Sequence, residues 1–214
     1  MSTITGLTGL TALLGSPVAH SISPLMHNEA FRLLELDYVY LCFDVNEETL
    51  PAAVAGLRTC GIRGFNLTMP NKNKIVELLD ELSPEAQLIG AVNTVLNDNG
   101  KLIGYNTDGY GFMQSVRDAG HDVTNKNITV MGVGGASMAI CAQSALDGAS
   151  SVHIFARRTS RYWNRTQKFA ENLTAKTGCQ VCLFDNDDHT ALKDSIAQSY
   201  LLINATSVGM VPDI

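Results

Sequence analysis

The sequence predicts an α/β fold in two lobes, and three patterns in the chain lead to this prediction. A short apolar run, a turn and a helical pattern recur from residue 8 onward. Beyond Ile128 the alternation of strand and helix patterns becomes regular, which favours a parallel sheet. The polar run His121–Asn127 separates the two parts. We therefore predict one domain over residues 1–120 and a second over residues 121–214.

The first domain begins with a buried strand over Thr8–Leu14, because this apolar run ends at a Gly-Ser-Pro turn. Ser23 then acts as N-cap and Pro24 as the first residue of a helix that reaches about Leu36. The other elements predicted here are strands at Tyr38–Phe43 and Ile62–Met69, helices at Glu47–Thr59, Lys72–Leu82 and Gly109–Ala119, and a hairpin of Ala91–Leu96 and Leu102–Tyr105 around an Asn-Gly turn.

The second domain alternates strands and helices without interruption. Its predicted strands are Ile128–Met131, Val152–Phe155, Val181–Phe184 and Tyr200–Asn204, and its predicted helices are Gly135–Leu146, Tyr162–Thr177 and Thr190–Gln198. The twenty residues Asn127–Leu146 carry no charge, but they include three glycines near their start. A buried strand, a glycine turn and a buried helix explain these letters better than a membrane span.

Composition excludes several classes of protein. The chain has 214 residues, of which 45% are hydrophobic and 17% charged, and this balance excludes disorder. The net charge of −6 comes without any basic block, so nucleic acid and membranes are not expected partners. The five cysteines form an odd set, which indicates a reduced, cytoplasmic protein. The residues leave the oligomeric state open, and a homodimer stays an alternative.

A glycine-rich turn lies directly between the first strand and first helix of the second domain. It comprises Gly132, Val133, Gly134, Gly135 and Ala136. Backbone without side chains can approach a pyrophosphate closely, and the helix N-terminus supplies N–H groups and a positive dipole end. We interpret this segment as the dinucleotide-binding turn of a Rossmann-like domain, the alternative being a merely tight turn.

The end of the next strand indicates which dinucleotide is bound. Between Phe155 and Arg161 the sequence has three arginines, among them Arg157 and Arg158, and no acidic residue. An acid here would bind the ribose 2′-hydroxyl of NAD, whereas arginine suits the 2′-phosphate of NADP. The sequence therefore favours NADP, although the arginines could also form a solvated helix start.

No metal is expected, because the single pair Cys179 and Cys182 lacks further ligands.

Small polar residues recur where strands of the first domain meet turns. They lie in four motifs, Gly15–Pro24, Asn66–Lys72, Gly90–Thr94 and Gly104–Gly109. We expect their polar groups to converge on one cleft. Hydroxyls and amides with one lysine and one aspartate suit a polyhydroxylated small acid better than an apolar ligand.

Together with Asn204–Met210, these motifs resemble the shikimate dehydrogenase family over essentially the whole chain. The form Met69–Lys72 is closer to the quinate/shikimate branch. The resemblance implies that Lys72 and Asp108 are the catalytic pair and also contact the substrate. It implies that Ser21, Ser23, Tyr40, Thr68 and Asn93 bind the substrate, and that Gly132, Val133, Gly134, Gly135, Ala136, Ala156, Arg157, Arg158, Thr159 and Ser207 bind the cofactor.

The family resemblance implies reversible reduction of 3-dehydroshikimate to shikimate with NADP, a step of aromatic amino acid biosynthesis. A cation such as Lys72 would stabilise the alkoxide that develops at the carbonyl and could supply its proton. Ala156 stands where the family commonly has asparagine, and Thr159 replaces the acid of the quinate branch. The alternatives are an NAD-dependent quinate/shikimate dehydrogenase and a non-catalytic ligand-binding fragment.

Family members continue beyond the Asn204–Met210 motif into further strands and a C-terminal helix that binds substrate. The present sequence stops at Ile214, so the resemblance implies C-terminal incompleteness. A partial sheet exposes apolar surface and unpaired backbone groups. We therefore expect the 214-residue chain alone to be poorly soluble and nearly inactive.

Overall fold

The computed structural model describes residues 4–209, and these residues divide into two compact units between Asn106 and Thr107. Met210 and the end of the chain at residues 211–214 lie outside the described part. The boundary predicted from the sequence lies at residue 120 instead. The difference arises because helix α4 (Asp108–Asp118) packs against a helix of the second unit, α5 (Gly135–Leu146).

The first unit is built around a six-stranded mixed sheet. Its strands are β1 (Gly9–Gly15), β2 (Tyr38–Asp44), β3 (Gly64–Leu67), β4 (Glu81–Leu82), β5 (Thr94–Asp98) and β6 (Lys101–Tyr105). They lie in the order β2-β1-β3-β5-β6-β4. β1 is parallel to β2 and β3, whereas β5 runs antiparallel to both β3 and β6. The core includes the fully buried side chains of Leu14, Leu50 and Ile62.

The helices of the first unit are α1 (Ser23–Leu33), α2 (Leu50–Thr59), a 3-10 helix at Lys74–Leu78, and α3 (Pro84–Ile89). The prediction of Ser23 as N-cap is wrong. Ile22 holds that position, and the Oγ of Ser21 accepts the backbone N–H of Ser23 at 3.2 Å. The helix therefore starts one residue early and places Ser23 inside its first turn.

The prediction of a helix over Lys72–Leu82 is also wrong. After the 3-10 turn the chain extends, since the N–H of Asp80 donates to the carbonyl of Leu102 and the N–H of Leu102 donates to the Asp80 carboxylate. Pairing with β6 thus overrides the local helical pattern. The missed helix α3 has a sequence signal, because Ser83 precedes a proline and its Oγ accepts the N–H of Ala86.

The predicted hairpin is confirmed. β5 and β6 pair from Asp98↔Lys101 backward, so Asn99 and Gly100 form a two-residue loop. Their φ angles are 52° and 91°, as a turn with two left-handed residues requires. The ends of the two strands opposite this turn, at Thr94 and Tyr105, lie at the edge of the sheet where Asn93 precedes β5.

The second unit contains a four-stranded parallel sheet, as the regular alternation predicts. Its remaining elements are β7 (Asn127–Met131), β8 (Ser151–Ala156), α6 (Trp163–Thr177), β9 (Gln180–Asp185), α7 (His189–Gln198) and β10 (Leu201–Asn204). The strand order is β10-β7-β8-β9, so the chain reverses direction across the sheet beside β7. Ligands of parallel sheets bind at such a switch point, at the carboxyl ends of the strands.

Helix α5 accounts for the uncharged run in the sequence. Nine consecutive residues from Ser137 to Ala145 are buried, which leaves no position for a charge. Over residues 4–209, no helix combines the length and the apolar character needed to cross a membrane.

Candidate functional site

The glycine turn of the second unit leaves β7 at the switch point of the sheet. Gly132 has φ of 109°, and a Cβ there would lie 2.9 Å from the carbonyl oxygen of Ala205. The buried Ser137 donates from its Oγ to the carbonyl of Gly132 at 2.6 Å and closes the turn. The fold itself therefore requires glycine at position 132.

Gly134 and Gly135 differ from Gly132 because nothing in the protein requires glycine at either position. Gly134 has φ of −81°, and apart from the adjoining residues and the backbone of the helix itself, no protein atom lies within 4 Å of a Cβ added to either residue. Both are exposed at the start of α5, which has no side-chain N-cap and no acidic residue in its first turn. The open space beside a helix N-terminus fits the pyrophosphate of a dinucleotide.

Ser207 lies at the same edge of the second sheet as the glycine turn. It follows β10, the neighbour of β7, in a turn where Asn204 Oδ1 accepts both the N–H and the hydroxyl of Thr206. The N–H of Ala205 donates to the carbonyl of Met131 at 2.9 Å, which ties this turn to the end of β7, where the glycine turn begins. Ser207 itself is exposed.

The arginines follow β8, which ends at the buried Ala156. The guanidinium of Arg158 lies 5.3 Å from the ring centre of Trp163, and that of Arg161 lies 4.7 Å from the ring of Tyr162. The exposed Arg157 makes no side-chain hydrogen bond or ion pair with any other residue of the described range. Its charge is therefore available to an anionic ligand. Thr159 is exposed in the same turn.

In the first unit, several predicted substrate residues meet at one edge of the sheet. β1 and β3 are parallel and end there, and β5 starts there because it is antiparallel to β3. Thr68 follows β3, and its N–H donates to the carbonyl of Leu14 at 3.1 Å. Ser21 and Ser23 follow β1 at the start of α1.

Lys72 and Asn93 lie at this edge as well. The carbonyl of Lys72 accepts the N–H of Val92 at 2.8 Å, and the carbonyl of Asn93 accepts the N–H of Leu67 at 2.9 Å. The first bond attaches the Lys72 turn to the residue before Asn93, and the second attaches Asn93 to the end of β3. The Lys72 side chain is half-buried, and that of Asn93 is 9% exposed.

Tyr40 occupies a different position from the other predicted substrate residues. It lies in the middle of β2, is 2% exposed, and donates its hydroxyl to Asn66 Oδ1 at 2.8 Å. Burial raises the pKa of the Tyr40 phenol above its ordinary value, so the group stays protonated and acts as a donor. The structure thus gives Tyr40 an internal partner in Asn66.

Asp108 is the first residue of α4 in the second unit, a favourable place for a carboxylate because of the helix dipole.

The buried Asn71, next to Lys72, was not singled out from the sequence. Its Nδ2 donates to the carbonyl of Val45 at 2.7 Å, whereas its buried Oδ1 has no hydrogen-bond partner in the described part of the chain.

Comparison with known proteins identifies the family. The family described as shikimate dehydrogenase substrate binding domain matches residues 13–95. A relative named shikimate dehydrogenase (NADP(+)) from Listeria innocua is 50% identical over 209 residues, which are 98% of this chain and 72% of the relative. One of the same name from Streptococcus pyogenes is 51% identical over 211 residues, with the same shares of the two chains.

The fold of a solved relative agrees with these sequence matches. The crystal structure of shikimate 5-dehydrogenase from Listeria monocytogenes, in complex with shikimate and NAD, superposes with a TM-score of 0.96 at 48% identity. The match covers 99% of this chain and 73% of that one. About half of all residues are thus identical over nearly the whole chain, and the chain belongs to the shikimate dehydrogenase family.

Proposed function

We propose that this chain catalyses the reversible, NADP-dependent reduction of 3-dehydroshikimate to shikimate, a step of aromatic amino acid biosynthesis. One observation supports this above the others. The half-identical relatives named shikimate dehydrogenase (NADP(+)) match 98% of the chain, a span that includes Lys72, Asn93 and Asp108. The substrate class is a small polyhydroxylated acid, for which Ser21 and Ser23 would bind the carboxylate.

In the first unit, Lys72 would act as the general acid–base group. A carbonyl that accepts hydride develops negative charge on its oxygen, and an ammonium in hydrogen-bond reach lowers the energy of that charge. Lys72 would also donate the proton that completes the hydroxyl, and remove it in the reverse direction. Thr68 and Asn93 would hold the ring hydroxyls. We assign Asp108 the role of its catalytic partner.

The second unit would hold the nicotinamide dinucleotide, which when bound supplies or accepts the hydride. Gly134 and Gly135 leave room for the pyrophosphate beside the N-terminus of α5. Val133 and Ala136 belong to the glycine turn, Ser207 lies in the neighbouring turn at the same edge, and Ala156, Arg158 and Thr159 would border the adenosine end. Arg157 would bind the 2′-phosphate, because its guanidinium has no other described partner.

An NAD-dependent quinate/shikimate dehydrogenase is the second candidate, and the position of one acidic residue, Asp185, favours it. Asp185, at the end of β9, is the register partner of Ala156. An acid on this neighbouring strand could accept a hydrogen bond from a ribose 2′-hydroxyl. However, the Asp185 carboxylate already accepts the N–H of Asp187 at 3.2 Å. This bond occupies only one acceptor site of the carboxylate, and we rank NADP first because the guanidinium of Arg157 is available to a 2′-phosphate.

A spectroscopic assay separates these candidates. The chain is mixed with shikimate or quinate and with NADP+ or NAD+, and absorbance of the reduced nicotinamide is followed. The proposed function predicts the highest kcat/KM with shikimate and NADP+. Higher kcat/KM with quinate and NAD+ would identify the second candidate. Shikimate binding by calorimetry without turnover in any combination would indicate a ligand-binding protein and contradict the proposed enzyme.

Replacing Arg157 by alanine tests the cofactor assignment. We expect KM for NADP+ to rise by about tenfold or more, since a charge-assisted hydrogen bond contributes about 1.5–3 kcal/mol. KM for NAD+ should stay within about twofold, because NAD+ lacks the phosphate. Lys168→Ala removes an exposed cation of α6 and serves as the control for net charge. Equal effects of Arg157→Ala on both cofactors would contradict the assignment.

We also propose a cytoplasmic location. All five cysteines are free thiols, and Cys141 and Cys179 are buried. Burial raises the pKa of Cys141 to about 12 and that of Cys179 to about 11, so both remain unreactive thiols. Unpaired cysteines are typical of reducing compartments.

A further inference from the structure

Within the second unit, helix α4 packs along one face on helix α5. Gly109 and Met113, four positions apart, are buried on this face of α4. The hydroxyl of Ser144, on α5, donates to Met113 Sδ at 3.5 Å. One turn further on, the Arg117 guanidinium forms an ion pair of 2.9 Å with the carboxylate of Asp147, which directly follows α5.

The two helices run in the same direction. The partners of successive turns of α4 advance along the chain of α5 from Ala139 to Asp147. Because α4 begins at Asp108 and α5 begins at Gly135, both N-termini lie at the same end of the helix pair. In the proposed function, one of these ends carries the catalytic carboxylate and the other carries the pyrophosphate-binding turn.

Gly109 has no room for a side chain between the two helices. An added Cβ would clash with the carbonyl oxygen of Ala139, and it would lie 2.8 Å from the carbonyl carbon of Ala139 and 2.9 Å from Cβ of Gln143. Ordinary contacts between carbon atoms lie at about 3.5–4.0 Å, so the helices would have to separate by about 1 Å. The obstacle is backbone, and no change of side-chain rotamer relieves it.

Helix α4 is the element that would move. Helix α5 packs on β7 and β8 as well as on α4, and its nine residues 137–145 are buried. The Ser137 hydroxyl further bonds α5 to the carbonyl of Gly132. By contrast, α4 packs mainly on α5, and three of its eleven residues are buried. A side chain at position 109 would therefore displace the start of α4 and leave the glycine turn in place.

We propose that Gly109 is a positioning residue that sets the distance between Asp108 and the pyrophosphate-binding turn. Without a side chain it lets the first turn of α4 lie against the backbone of α5. The reaction needs the carboxylate and the dinucleotide in one geometry, and a displacement of about 1 Å can lower a rate about 10²-fold. This inference rests on the proposed function, in which Asp108 is the catalytic partner of Lys72.

Gly109→Ala tests the inference, and Gly111→Ala on the same helix is its matched control. Gly111 is exposed, and apart from the adjoining residues and the backbone of the helix itself, no protein atom lies within 4 Å of a Cβ added there. We expect Gly109→Ala to lower kcat for shikimate oxidation about 10²-fold, while Kd for NADP+ and Kd for shikimate change by less than about twofold. Gly111→Ala should leave all three quantities at the wild-type values.

A double-mutant cycle with Asp108→Asn tests whether Gly109 acts through Asp108. In the Asp108→Asn background, Gly109→Ala should change kcat by less than about twofold, because the group that it misplaces is already lost. The stoichiometry of NADP+ binding gives the folded fraction of each sample, and kcat is expressed per folded molecule. If Gly109→Ala does not fold, Ser144→Val replaces it, because it enlarges the α5 side chain that contacts Met113 and presses on the same face of α4.

Four results would overturn the inference. They are a wild-type kcat in Gly109→Ala, an equal loss of kcat in Gly111→Ala, an equal loss in both backgrounds of the cycle, or a loss of NADP+ affinity as large as the loss of kcat. Failure of the proposed function has a different signature, because it appears in the wild-type chain as the absence of shikimate oxidation with either dinucleotide.

Discussion

Replacing Lys72 by alanine should lower kcat for shikimate oxidation by about 10²–10⁴-fold, the usual range for losing a general acid–base group. The Kd for shikimate should change by far less. The reason is that the charge of Lys72 matters most when the alkoxide develops, so the transition state loses more than the bound substrate does. Steady-state kinetics give kcat, and calorimetry gives the Kd.

Lys74→Ala is the matched control for this experiment. Lys74 lies two positions further along and forms an exposed ion pair with Glu77 at 2.7 Å. An exposed pair of this kind contributes little to stability, so its removal should leave both kcat and Kd near the wild-type values. A Lys72→Ala variant with weakened binding but preserved kcat would show that Lys72 only binds substrate.

Alanine at Gly134 or Gly135 should abolish most NADP binding and leave the free energy of unfolding nearly unchanged. An added Cβ meets no protein atom within 4 Å at either position apart from the adjoining residues and the backbone of the helix itself, so we expect no loss of stability. The same Cβ would occupy space that we assign to the pyrophosphate. Cofactor affinity by fluorescence titration and stability by urea unfolding measure the two quantities separately.

Gly132→Ala supplies the contrast, because its expected loss is one of stability. The φ of 109° disfavours any side chain, and the Cβ would contact Ala205 at 2.9 Å. Such strained positions cost about 1–3 kcal/mol, which we expect as a fall in the free energy of unfolding. Normal cofactor affinity in both Gly134→Ala and Gly135→Ala would refute the pyrophosphate assignment.

Local patterns predicted the second unit more accurately than the first. The helix Gly135–Leu146 matches the prediction at both ends, and no end of a strand differs from its predicted position by more than one residue. In this unit each strand pairs in parallel and each helix is long enough to show its period. In the first unit, pairing of the Asp80 segment with β6 replaced a predicted helix, and such long-range bonds leave no mark on local periodicity.

The candidate site shows the same division. The residue types and motifs, from the glycine turn to Lys72 and Asp108, could be predicted from the amino-acid letters, because chemistry and backbone freedom depend on the identity of each residue. Folding distinguishes the glycine that the structure requires, Gly132, from Gly134 and Gly135, which it leaves open. It also places Tyr40 inside the sheet, hydrogen-bonded to Asn66. Local patterns could not predict this, because burial and hydrogen-bond direction arise between strands, and residues 26 or 28 positions apart meet only after folding.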